Sequence, residues 1–128
     1  MIDMIDMTQV DWNMIAIVLV FAFLDIIAGV LKAFKMNAFS SSLMREGLMH
    51  KAATMLVMVC ASVCDVFRSG AGVEFPFGVN IVDAFGIVVI VMEIGSILEN
   101  CIDVNPELGN MKLMRIFGLG NLDNGEDE

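Results

Sequence analysis

Cations are scarce in this chain: seven Lys and Arg stand against sixteen Asp and Glu in 128 residues, a formal net charge of −9. Seven cations cannot offset sixteen acids over any sizeable face, so nucleic acid is not an expected partner. Tyr is absent, only 18% of residues are charged, and 58% are apolar. Too little polar surface remains to cover long apolar segments in water, and lipid is the better solvent for this single domain's worth of sequence. Histidine occurs once, at His50, several turns from Cys60 and Cys64. Three cysteines, an odd number, lie within or at the end of apolar segments, which argues against a disulfide framework. Cys60, Cys64 and Cys101 therefore read as small packing residues, and neither a metal nor a cofactor is expected. A Gly-rich phosphate loop, G-x-S-x-G and H-E-x-x-H are also missing, so the chain is not expected to be an enzyme and has no catalytic candidate. The first residues lack the Lys or Arg of a signal-peptide n-region, and no small-x-small cleavage site follows the first apolar run. That run is expected to stay attached as a first span.

What is present is three apolar runs, at about 14–34, 50–67 and 81–102. As helices they measure roughly 31, 27 and 33 Å, close to the hydrocarbon thickness of a bilayer. The expected fold class is an all-α integral membrane protein with three transmembrane helices. Trp12 stands at the edge of the first run, where indole favours the membrane interface. Of the seven cations, none precedes residue 14, Lys32, Lys35, Arg45 and Lys51 cluster around the first loop, Arg68 follows span two, and two come after residue 104. Lys/Arg bias in a short loop sets orientation, so this loop is expected in the cytoplasm, giving an N-outside, C-inside topology with Arg68 the one cation on the wrong side. Ser40, Ser41 and Ser42 offer N-cap oxygens to a short amphipathic helix in the cytoplasmic loop at 36–49. The Gly- and Pro-containing stretch at 69–80 reads as the external turn, with Phe75 and Phe77 dipping into the interface. Residues 1–106 then form the membrane domain. Residues 107–128 comprise an amphipathic surface segment with Lys112 and Arg115, followed by an acidic tail with no apolar face to bury. Met4 and Met7 are possible alternative starts beside Met1.

The polar residues inside the spans fall in stripes. Asp25, Gly29 and Lys32 recur at i, i+4 and i+7; Thr54, Ala61 and Asp65 share a face of span two; and Asp83, Gly86, Glu93 and Asn100 line one side of span three, with Ser96 beside them and Glu99 near its end. An ionisable group at mid-span costs about 2.5–3.5 kcal/mol on insertion scales, so Asp25 and Glu93 require shielding by helices or water. Either one copy hides them, with Asp25 reaching toward Lys32, or several copies assemble so that the acids line a passage; the second reading is preferred. Ala28, Gly29 and Ala33 make a small-residue patch on which another helix can approach closely. The twelve Met residues read as gap fillers on apolar faces.

Three motifs in order, L-D-I-I-A-G-V-L-K-A at 24–33, S-S-S-L-M-R-E-G-L-M-H-K at 40–51 and G-S-I-L-E-N at 95–100, resemble the phage holin family. The likeness is to the branch shared by lysis holins of phages of Gram-positive hosts and by small proteins that release large clostridial toxins. It covers about residues 14–106 and carries over Asp25, Gly29, Lys32, Ser96, Glu99 and Asn100. Ala28 stands where the family often has Thr, and the chain ends in acids where many holins carry a cationic tail. The resemblance implies a multi-pass protein of the bacterial host's cytoplasmic membrane that forms homo-oligomers and opens lesions for an endolysin or a large toxin. A small ion or proton channel, or an accessory subunit of a membrane complex, is the alternative. On either reading Asp25, Gly29, Lys32, Asp65, Asp83, Gly86, Glu93, Ser96, Glu99 and Asn100 are the candidates for oligomer contacts or a pore lining.

Overall fold

A computed structural model describes residues 10–119, and the described chain is helical with no strand. Helix α1 spans Trp12–Lys35, α2 Ser41–Gly70 and α3 Ile81–Val104, and a short α4 covers Lys112–Ile116. A helix satisfies its backbone polar groups internally, which is what a chain this rich in Val, Ile and Leu needs once it leaves water. Asp11 starts α1 by accepting a hydrogen bond from the Met14 N–H at 2.9 Å. Asn37, at φ +48°, ends it: the Ala38 N–H turns back to the Ala33 carbonyl. Gly72, at φ +68°, does the same for α2, with the Val73 N–H bonded to the Arg68 carbonyl. Both are the left-handed helix terminator that Asn and Gly adopt most readily.

The three long helices are each apolar enough to cross a membrane, and only 17, 17 and 22% of their apolar windows is buried within the bundle. Ile17, Val20, Phe23, Val59, Ile87 and Met92 face outward. In water such faces would aggregate, whereas in a bilayer they are solvated. α1 and α3 run parallel and α2 antiparallel to both. The core is narrow: Val18, Met58, Ala61, Val82 and Val89 are buried together. Gly86 creates the notch that lets it close, because a Cβ there would lie 2.5 Å from the Met14 Sδ and 3.3 Å from the Met58 Cε.

Two expectations change. The loop helix is not separate: Ser41 to Gly70 is one helix of 30 residues, about 45 Å long, so the amphipathic segment and span two are continuous. Ser40 occupies the N-cap position but does not cap; its Oγ lies 2.7 Å from the Ser42 Oγ instead. The turn expected to be external runs from 71 to 80, with a single 3-10 turn at Pro76–Gly78, on which Phe77 is 98% exposed. Phe75 lies under the Arg68 guanidinium, 5.3 Å from its ring centroid. In the C-terminal segment Lys112, Arg115 and Ile116 are exposed and Met114 is buried. Met1, Met4, Met7 and the acidic tail lie outside the described residues.

Candidate functional site: a lysine shared by two carboxylates

Asp25 and Glu93 each stand near the middle of a 24-residue helix, α1 and α3. Because the two helices run parallel, both carboxylates arrive at similar depth and on facing sides. Lys51 enters from α2 between them. Its Nζ lies 2.7 Å from Asp25 Oδ2 and is also bonded to Glu93 Oε2. The Asn100 Nδ2 donates to Asp25 Oδ1 at 3.3 Å. Side-chain exposures of 18% for Lys51, 11% for Asp25 and 7% for Glu93 put the group inside the bundle. With all three ionised, the network carries one negative charge in excess. Among the described residues no backbone N–H donates to either carboxylate, so the charge is held by one lysine ammonium and one amide.

On the side of the first loop, a cavity of about 350 Å³ separates α1 from the start of α2. Asp25, Lys51 and Asn100 reach it, and its walls include Gly29, Met36, Leu43 and Leu48. All ten residues of α2 from Ser41 to His50 are exposed, and the residues α2 buries lie between Met58 and Val66. α2 is therefore packed over its second half and open over its first.

A second ionic layer closes the opposite end. Asp65 accepts the Ile81 and Val82 N–H groups at 2.9 and 2.8 Å, capping α3 from α2. Arg68 stands 3.4 Å from Asp65 and donates to Asn80 Oδ1 at 3.0 Å and to the Val73 carbonyl at 2.9 Å. The cation that looked misplaced in the sequence is thus bound to a local acid and its loop. Asp83 lies near this layer, its Oδ1 buried and, among the described residues, without a hydrogen bond.

The remaining candidates sort by position. Lys32 pairs with Asp103 at 2.6 Å and not with Asp25, the contact that the less-favoured single-copy alternative allowed, and Lys35 donates to the Val104 carbonyl, so both fasten α1 to the end of α3. At Gly29 an added Cβ would meet only Asn100 Nδ2, at an ordinary contact distance of 3.9 Å, so the packing of α3 on α1 does not require glycine there. Gly86 is buried, Ser96 is half-buried, and Glu99 and Arg45 are exposed. Thr54 donates to the His50 carbonyl and Ser62 to the Met58 carbonyl. Cys60 and Cys64 are free and face outward, and Cys101 is free and half-buried. The first two do not pack between helices as expected. Sequence reasoning assigned Lys51 to orientation alone. The signal for more was its place just inside the second apolar run, at the depth of two carboxylates that needed a cation.

A three-span helical membrane protein with a buried lysine–carboxylate network is the class these features define. Residues 5–116 match the model of the bacteriophage holin family, and the chain belongs to that family. No curated protein and no solved structure matches it.

Proposed function

We propose that the protein is a holin that assembles in the bacterial host's cytoplasmic membrane and opens lesions through which an endolysin or a large toxin passes. The observation that carries this reading is the family match over 112 of 128 residues, coinciding with all three spans. Lys32, Lys35, Arg45 and Lys51 put the first loop in the cytoplasm, with the N-terminus outside. Pairing Lys32 and Lys51 with acids does not weaken this argument, because orientation follows Lys and Arg and acids contribute little. Residues 1–106 are the membrane domain and 107–128 its cytoplasmic extension. Gly29, Asp83, Ser96, Glu99 and Asn100 remain candidates for contacts between copies or for the lining of a lesion, while Asp65 and Gly86 are taken up inside the single bundle.

The convergence of Asp25, Lys51 and Glu93 within one copy favours a second reading, a small ion or proton channel with these groups as its relay. Expression in a bacterium separates the two. Escape of a cytoplasmic reporter enzyme, or lysis when a wall hydrolase is co-expressed, is expected for the holin. Loss of ion gradients while the enzyme stays inside would replace the holin with the channel.

A further inference from the structure

We infer that Lys51 is a latch, and that the protein permeabilises membranes only after the Ser41 end of α2 swings away from α1 and uncovers Asp25 and Glu93. The inference deepens the holin reading and rests on it. It addresses a mismatch. Carboxylates that are to line a lesion must face water, yet here they are turned inward and held by a lysine of the same chain.

Four observations locate the moving part. None of the first ten residues of α2 is buried against the rest of the chain, so little apolar contact opposes their departure. The cavity of about 350 Å³ already parts them from α1. Across that gap the ion pair between Lys51 and Asp25 joins α2 to α1. Beyond Lys51 the grip changes character: Met58 and Ala61 are in the core and Asp65 caps α3, which makes this half of α2 the fixed end of the lever. Removing Lys51 from the network would leave Asp25 and Glu93 facing each other across a narrow core. Their repulsion and their need for water both favour the open arrangement.

Gly29 and Gly47 offer a way to fasten the lever. Each lies four residues from its network partner, Asp25 and Lys51 respectively, and both line the cavity. A Cβ at Gly47 meets nothing within 4 Å, and one at Gly29 meets only Asn100 at ordinary contact distance. In a chain with Cys60, Cys64 and Cys101 replaced by Ser, Gly29→Cys and Gly47→Cys are introduced together. The protein is reconstituted in vesicles holding a trapped enzyme and treated with a bifunctional thiosulfonate that thiol reductant removes. Cross-linking within a chain is expected to abolish release, and reductant to restore it to the rate of the same double-cysteine chain before cross-linking. Lys51→Gln, without the cysteines, is expected to release the enzyme sooner than the parent chain. Cross-linked and reduced protein releasing equally fast would overturn the latch while leaving the holin reading intact. Reduced protein that releases nothing, in vesicles where the parent chain is equally silent, would remove both. Because the cross-linked variant keeps Lys51, the result stands even where Lys51→Gln folds poorly.

Discussion

The bundle holds two ionic layers, and they are built on opposite principles. At the Asp65 layer the acid is answered by two backbone N–H groups of α3, and its arginine is tied down again by Asn80 and the Val73 carbonyl. These donors are fixed to the start of α3 and cannot swing aside as a long side chain can. At the Lys51 layer two acids depend on one side chain and one amide. A lysine on a flexible four-carbon stem can withdraw without disturbing any helix. The first layer therefore holds α2 to α3 through several fixed partners, while the second rests on a contact that one side chain can make and break.

The comparison breaks most sharply at Lys51. Lys51→Met removes the shared cation and leaves two buried acids unpaired, a change worth about 3–5 kcal/mol for buried pairs. Its unfolding midpoint in detergent is expected to fall further than that of Asp65→Asn or Lys32→Gln. Adding Asp25→Asn and Glu93→Gln to Lys51→Met should recover most of the loss, because the penalty comes from unpaired charge and not from missing packing. A triple variant as unstable as the single one would mean that the lysine acts through its aliphatic stem.

At the other layer, Asp65→Asn keeps one carbonyl oxygen for the α3 N–H groups but loses the charge that faces Arg68. The expected cost is about 1–3 kcal/mol, between the loss of a helix cap and that of a charge-assisted bond. The variant's signature is local. Amide exchange should rise at Ile81 and Val82, and the network at Asp25 and Glu93 should stay protected. Equal loosening at both layers would show that they are coupled, and the distinction between a fixed and a breakable layer would fail.

Much of this arrangement was legible in the chain. Apolar runs of the right length gave the three helices, and the three- and four-residue steps from Asp83 to Asn100 put Gly86, Glu93 and Asn100 on the face that turns inward. What the pattern could not convey was partner choice. Asp25 and Lys32 lie seven residues apart on one helix, and such spacing suggests a pair. Instead the parallel packing of α1 on α3 hands Lys32 to Asp103, and the antiparallel return of α2 delivers Lys51 to Asp25. Those matches depend on helix register, which periodicity within one helix does not encode. The same limit hid Asp65, whose role emerges only once the start of α3 is seated against α2. Ser40 failed as a cap for a different reason: its hydroxyl was claimed by Ser42.

Lys32 supplies the mildest test and the control for both layers. Its pair with Asp103 is as short as the Lys51–Asp25 pair, 2.6 against 2.7 Å, but its side chains are 35 and 39% exposed rather than 18 and 11%. If length governed strength, Lys32→Gln would cost as much as the loss of Lys51. Exposure argues otherwise: water and salt screen the pair, and holding two long side chains together costs entropy, so such contacts are worth about 0–1 kcal/mol. Lys32→Gln is expected to leave the unfolding midpoint in detergent nearly unchanged, and what small change there is should vanish in high salt. A loss matching that of Lys51→Met would shift the site toward the loop end, making the junction of α1 with α3, and not the hold of α2 on both, the contact that keeps the bundle closed.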